Sequence, residues 1–326
     1  MRKMKKALFF IGLAMVVLLV ACGTDTTVEG DNTLSEKNQV DAQGTEVVQE
    51  VTIVDQLGET VVPVKPEKVV VFDFGILDSL DKLGISVAGV PQANIPPYLE
   101  QYESDEYVNV GSLKEPDFEA IATMDPDLII ISGRQLELAD ELNKISPTIY
   151  MGLDTEDYMS SFKDNMEKLG QIFDKKDEMA EELDAIDTLV DQVKEKATTQ
   201  KTNGLVVLAN EGNINAYGPG SRFGLIHDVL GISPVDENID VSTHGMNVSY
   251  EYILERDPQY LFVIDRNAVV TESASAEQAI ENELVQTTQA YKNNNIIYLD
   301  PNYWYLSGGG LVSVTKMIEA IDTAIE

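Results

Sequence analysis

The chain has 326 residues, with 23 Lys plus Arg against 56 Asp plus Glu, a formal charge of −33, 44% apolar residues, two histidines and one cysteine. Such acidity excludes nucleic acid and anionic lipid as partners drawn by the general field of the molecule, because a negative surface repels both. A lone cysteine excludes an intrachain disulfide, and the apolar fraction is that of a globular protein rather than of a disordered acidic chain.

The chain begins with Arg2, Lys3, Lys5 and Lys6, runs through an apolar stretch from Ala7 to Val20, and reaches Ala21 just before Cys22, its sole cysteine. A basic start, a short apolar run and a small residue at the cut read as a secretory signal over 1–21. The run is short for a bilayer span, which takes about 20 residues. Cys22 then stands where a bacterial lipoprotein carries its lipid-acceptor cysteine. The mature chain is therefore expected outside the cell, tied to the membrane through acyl chains on Cys22. Removing 1–21 leaves 19 basic against 56 acidic residues, a charge of −37, which favours a soluble monomer apart from its anchor. Residues 22–46 are polar and poor in aromatics and read as a flexible tether.

A first α/β lobe is predicted over 47–157. Strands at 51–54 and 60–64 flank a turn and form a hairpin. A short buried strand at 68–72 leads to a helix at 75–83, closed by Gly84. Strands at 87–90, 108–110, 128–131 and 148–150 alternate with helices at 118–124 and 136–143. That rhythm predicts a parallel sheet covered by helices. From Glu156 to Ala197 there is no proline and a single glycine, Gly170, while Phe162, Met166, Leu169, Phe173, Leu183, Ile186, Val190 and Val193 recur at helical spacing. The segment 158–197 is predicted as one helix of about 38 residues, roughly 57 Å long at 1.5 Å per residue, a strut between lobes, with two ordinary helices broken near Gly170 as the alternative. A second α/β lobe is predicted over 198–326, with strands at 204–208, 214–217, 260–264 and 296–299 and helices at 223–230, 250–255, 276–283 and 311–325. The fold class is α/β, two Rossmann-like lobes joined by one long helix.

Residues 116–134 and 248–266 repeat one another at an offset of 132. Glu119 matches Glu251, Ile121 matches Ile253, Asp125-Pro126 matches Asp257-Pro258, and Arg134 matches Arg266. Each copy reads as helix, proline turn, buried strand, then arginine, so the two lobes share one design. In open parallel sheets ligands sit beyond the carboxyl ends of the strands, where Arg134 and Arg266 fall. Beyond Arg2 the chain has four arginines: Arg134, Arg222, Arg256 and Arg266. Arg256 ends a predicted helix and can serve its dipole; the other three lie on loops after strands. In so acidic a molecule an anionic ligand requires a local cluster of fixed positive charge, and guanidinium suits it by staying ionised, donating in a planar fork and stacking on rings. Two further clusters stand out, Ser242 to Met246 with His244, and Tyr303 to Gly310 with Trp304, Tyr305 and three glycines that let backbone approach a ligand. A phenolate and an imidazole are able to complete the sphere of an iron(III) centre held by a chelator. Two histidines, His227 and His244, are few for a zinc or manganese cage, although a receptor for a bare divalent metal stays open as a second reading. Neither a Gly-x-Ser-x-Gly nor a His-Glu-x-x-His motif occurs, so a binding protein is expected, with no catalytic residues and no cofactor.

Seven stretches carry a family resemblance: Phe72 to Asp78, Gly111 to Pro116, Ser132 to Arg134, Gly218 to Arg222, Ser242 to Gly245, Asp265-Arg266 and Asn302 to Gly308. Through them the mature chain resembles the iron-siderophore substrate-binding lipoproteins of bacterial ABC importers, and most closely the catecholate, petrobactin-type binders. The resemblance implies the helical-backbone periplasmic-binding-protein fold, with a ferric siderophore as ligand and an ABC permease as partner. It implies that Arg134, Arg222 and Arg266, with Trp304, face the catecholate. His244 and Tyr305 would ligate iron when the chelator leaves sites open, and Glu119 and Glu251 would dock on permease arginines. The family also contains haem, cobalamin and hydroxamate binders, so fold alone does not choose the ligand.

Overall fold

Where the sequence predicts a hairpin, the chain pairs β1 (Glu50–Asp55) with β2 (Gly58–Pro63) antiparallel, burying Ile53 and Val62. The structure is a computed structural model that describes residues 49–326 except 272, 274 and 275; the expected signal 1–21, Cys22 and the tether 22–46 lie outside the described residues.

The first lobe continues with β3 (Val69–Val71), α1 (Phe74–Lys82), β4 (Gly89–Val90), β5 (Val108–Asn109), α2 (Phe118–Met124), β6 (Leu128–Ile131), α3 (Ala139–Leu142) and β7 (Thr148–Tyr150). Its five strands are all parallel, in the order β5-β4-β3-β6-β7. The unbroken apolar runs of β3 and β6 are wholly buried, as befits strands covered on both faces.

The predicted 158–197 helix is corrected to two, α4 (Tyr158–Ile172) and α5 (Lys176–Gln200). Asp174 takes a left-handed φ of 55° between them and is held by Lys65 at 2.7 Å. Gly170 eases the close approach of the two helices at the break. A Cβ there would stand 3.3 Å from the Lys176 Cα, and its carbonyl accepts the Lys175 amide at 2.9 Å. The long strut is thus α5 alone, 25 residues or about 37 Å. It buries Met179, Leu183, Ile186, Val190, Val193 and Ala197 along one stripe.

The second lobe comprises β8 (Asn203–Asn210), β9 (Asn213–Tyr217), β10 (Ser233–Pro234), β11 (Met246–Val248), α6 (Tyr250–Arg256), β12 (Tyr260–Asp265), α7 (Asn267–Val270), α8 (Ala276–Ile280), α9 (Gln289–Lys292), β13 (Ile296–Leu299) and α10 (Leu311–Ala324). Its main order is β11-β9-β8-β12-β13, with β10 pairing β8. Of the four predicted strands, β8, β12 and β13 are parallel and β9 is antiparallel; the unpredicted β10 pairs parallel with β8 and the unpredicted β11 antiparallel with β9. The reason is local. Glu211 and Gly212 both take positive φ, 50° and 81°, which closes a two-residue hairpin between β8 and β9.

The internal repeat is a structural one. α2 and α6 have seven residues each, and are capped by Asp117 and Ser249. Both end on a left-handed aspartate, Asp125 (φ 53°) and Asp257 (φ 40°), ahead of a proline that bars further helix. β6 and β12 then occupy the same place in their sheets.

The chain's end differs from the 198–326 assignment. After β13 a helical turn (Asn302–Ser307) and three glycines lead to α10, which packs on α1 of the first lobe and on α5. At this seam backbone meets backbone. A Cβ on Gly75 would collide with the Ser307 carbonyl and would lie 2.8 Å from the Gly310 nitrogen. Beside it the Asp78 carboxylate, fully buried, accepts the amides of Val312 (3.2 Å) and Ser313 (3.0 Å) and the Tyr98 hydroxyl (3.1 Å). It thereby caps the start of α10 from the other lobe.

Two outcomes follow for stability. Gly75→Ala is expected to lower the melting temperature in calorimetry, by the roughly 1–3 kcal/mol typical of overpacking. Gly133→Ala, whose Cβ has nothing nearer than 3.7 Å, should leave it unchanged. Burial pushes Asp78 up to about 7 from the ordinary 3.8, against its hydrogen bonds to Ser313, Val312 and Tyr98. The folded state then binds more protons than the unfolded one between these values. Stability from this group is complete below pH 3.8 and is lost as pH rises through about 7. The urea midpoint should fall more between pH 5 and pH 8 in the wild type than in Asp78→Asn.

Candidate functional site

A cavity of about 680 Å³ opens where the turns after β6 and β7 meet residues 221–222, 241–243 and 304–309. That volume suits a small ligand. Arg134, Arg222, Trp304 and Tyr305 line it.

Each arginine reaches the site from a different element. Arg134 sits in the turn after β6, which Gln135 ties down: its buried amide accepts the Ser132 N–H at 3.0 Å and donates to the Leu113 carbonyl. Arg222 follows β9 on a loop whose Gly220 takes φ 69° and donates its amide to Asp228 at 2.7 Å. Arg266 is the first residue after β12, and its Nη1 donates to Asn210 Oδ1 at 2.8 Å.

All three converge on Tyr305. Arg134 Nη2 donates to its backbone carbonyl at 3.1 Å, and Arg222 Nη2 donates to the same oxygen. Arg266 Nε donates to its phenol oxygen at 2.9 Å. The Arg222 guanidinium also lies over the Tyr305 ring, 4.2 Å from its centroid, and Arg266 stands 5.8 Å from it. Arg266 is absent from the cavity wall and acts on it through this phenol.

The charges leave their mark. Burial, then the neighbouring Arg134 charge, pull the Arg222 pKa down, although an arginine stays protonated. For Tyr305, burial raises the pKa, but the Arg266 hydrogen bond and the charges of Arg222, Arg266 and Arg134 outweigh it, so the phenol is shifted toward ionisation. Arg256, by contrast, lies in the last turn of α6, as expected, and has its own carboxylate, Asp236 at 2.7 Å. It is the arginine that forms an ion pair within 4.0 Å among the described residues; the other three turn to a carbonyl, a phenol and an amide. The acidic residue of the cavity wall is Asp73, whose Oδ1 caps α1 through the amides of Gly75 (2.9 Å) and Ile76 (3.1 Å). Burial raises its pKa against the lowering charge of Arg134.

The remaining predicted residues divide. Trp304 lines the cavity yet is 3% exposed and belongs to the core. Val241, Ser242 and Thr243 line the cavity, while the neighbouring His244 is exposed and outside its wall. His227 is buried, with Nδ1 2.8 Å from the Ile232 carbonyl. Among the described residues no three His, Cys, Asp or Glu side chains form a group that could hold a bare metal ion. Glu119 and Glu251 are exposed, at matching positions in the first turns of α2 and α6. Sequence reasoning missed Asn210 and Gln135, which carry no motif and act only through the elements that the fold brings together, and it named Asp73 only within the Phe72 to Asp78 stretch, without a role.

The chain matches the family of periplasmic binding proteins over residues 69–303 and belongs to it. The petrobactin-binding protein YclQ of Bacillus subtilis strain 168 is 50% identical over 331 aligned residues, 99% of this chain and 100% of the relative. The crystal structure of YclQ superposes with a TM-score of 0.83 at 53% identity, covering 85% of this chain and 99% of that one. The catecholate-siderophore binding protein VctP of Vibrio cholerae gives a TM-score of 0.80 at 36% identity, covering 84% and 100%.

The Tyr305 environment is open to direct titration. The ultraviolet difference between wild type and Tyr305→Phe should show a phenol ionising below the usual tyrosine pH of about 10. Arg266→Ala should move that titration upward, because it removes a donor that favours the phenolate.

Proposed function

We propose that this chain is an extracytoplasmic solute-binding protein that captures a ferric catecholate siderophore of the petrobactin type and delivers it to an ABC permease. The observation that carries the reading is the meeting of three guanidinium groups at Tyr305 without a carboxylate partner, at a cavity of about 680 Å³ in an otherwise acidic molecule. A ferric catecholate is a flat-ringed anion. Its charge supplies the missing counter-ion and its rings stack on guanidinium and aromatic faces. The iron is cargo, held by the chelator. Tyr305, with its phenol shifted toward ionisation, and His244, on the loop that forms one wall, are the side chains to fill iron sites that a chelator leaves open. The 50% identity to a petrobactin-binding protein and the fold shared with a catecholate binder support the same ligand class.

The role is binding rather than catalysis. Cys22 would carry the lipid anchor, and no helix among the described residues is long and apolar enough to cross a membrane. The protein would act as a monomer. Glu119 and Glu251, one exposed carboxylate per lobe at equivalent places, are the surface groups for permease arginines.

The test uses protein lacking residues 1–22 and the emission of Trp304, the chain's one tryptophan. Ferric petrobactin should quench it, while ferric hydroxamate, haem, cobalamin, and zinc or manganese without chelator should not. Arg134→Ala, Arg222→Ala and Arg266→Ala should each weaken binding by about 1.5–3 kcal/mol, the usual value of a hydrogen bond to a charged group. Normal binding by all three variants would end this assignment.

A further inference from the structure

Asp78 is a fully buried carboxylate with no place in the cleft wall, yet its hydrogen bonds lead to the cleft by two routes. On one side it accepts the Tyr98 hydroxyl at 3.1 Å, and the Tyr98 ring lies 4.7 Å from that of Tyr303. On the other it accepts the amide of Ser313 at 3.0 Å, and the Ser313 hydroxyl donates to the Ser307 carbonyl at 3.2 Å while accepting the Gly310 amide at 3.0 Å. Its neighbour Ser79, equally buried, accepts the Leu311 amide at 2.9 Å. Tyr305 lies midway between the two gripped residues, Tyr303 and Ser307, and its carbonyl gathers Arg134 and Arg222.

We propose that Asp78 is a positioning residue for the ligand cleft: from α1 it holds residues 303–313 at both ends, and so fixes where the Tyr305 carbonyl presents the two guanidinium groups. The inference rests on the ligand reading above for its affinity arm only. A buried carboxyl group suits the task because the Val312 and Ser313 amides and the Tyr98 hydroxyl, donors from two other elements, converge on its two oxygens. The close backbone packing of Gly75 on Gly310 leaves the seam no slack to absorb a change. An amide in place of the carboxylate would set an N–H₂ group against donors, and the segment would have to shift. Guanidinium groups that meet at one oxygen are sensitive to such a shift, since binding geometry tolerates about 0.5 Å.

Trp304, inside the gripped segment, reports its position without any ligand. The experiment compares wild type with Asp78→Asn, Ser79→Ala and Ile280→Ala, the last a fully buried residue in a core cluster away from the seam. For each, circular dichroism verifies folding, the ligand-free Trp304 emission maximum is recorded, and the affinity for ferric petrobactin is measured by quenching. Asp78→Asn is expected to shift the emission maximum and to weaken binding about tenfold, the scale of leaving a buried donor unpaired. Ser79→Ala should move both in the same direction by less, and serves as the deciding variant should Asp78→Asn fail to fold. Ile280→Ala should lose stability and keep both emission and affinity. Wild-type emission and affinity in a folded Asp78→Asn would overturn the proposal, as would an equal affinity loss in Ile280→Ala. If the wild type itself ignores ferric petrobactin, the ligand reading fails, and the emission arm still decides the role of Asp78.

Discussion

Three like charges held against one tyrosine repel one another, and everything around the cleft serves to keep them there. Two guanidinium groups share a single carbonyl oxygen, an arrangement that long side chains in water would not hold. Here Arg134 and Arg222 start from turns pinned at Gln135 and Asp228, while Arg266 has its backbone amide on the Ala209 carbonyl at 3.1 Å and its Nη1 on Asn210. The partners are neutral oxygens rather than carboxylates. A carboxylate would neutralise the cluster and compete with an anion, whereas a carbonyl orients the donors and leaves their charge available. The cleft is thus organised before its ligand arrives, which limits the ordering cost of binding.

The acidic remainder of the molecule gives that cluster its meaning. With 56 carboxylates in the chain, ion pairs are easy to form, and lysines form them widely: Lys65 with Asp174, Lys163 with Asp187, Lys196 with Asp322. Exposed pairs of this kind contribute little to stability. What matters is where carboxylates are absent. A diffuse negative field weakens the capture of anions from a distance and is screened beyond about 8–10 Å. Close contact therefore has to supply the affinity, and rings stacked over guanidinium planes act at that range.

Much of the architecture was legible because it rests on local rules. The apolar runs at 69–71 and 128–131 became buried parallel strands, α2 came at the predicted residues, and the repeat of Glu119, Asp125-Pro126 and Arg134 proved to be one folding unit used twice. Periodicity failed where a single residue overrode it. Gly170 permits the close approach that splits the long helix, yet apolar spacing continues across the break. The pair Glu211-Gly212 reverses β9 with a turn too short for composition to flag. In the site, the arginines were visible as the few cations placed after strands, because scarcity made them conspicuous. Tyr305 was visible as a side chain, but its backbone carbonyl, the atom on which two arginines meet, has no signature in sequence. His244 shows the converse: a suggestive residue type that is exposed and stands next to the wall residues 241–243 without being one of them.

The duplicated scaffold and the single cleft make different demands. The repeat places Glu119 and Glu251 alike on the outside, and starts Arg134 and Arg266 from equivalent strand ends. Symmetry ends there. Arg134 meets the carbonyl of Tyr305 and Arg266 meets its phenol, because residues 302–313 belong to the second lobe by sequence and to the first by packing. That one crossing segment turns a symmetric pair of arginines into an asymmetric pocket. It also ties the chain of the second lobe to the first beside α5, through the bonds that Asp78 and Ser79 make to residues 311–313. Ligand choice then rests on where that segment places charge within the cleft.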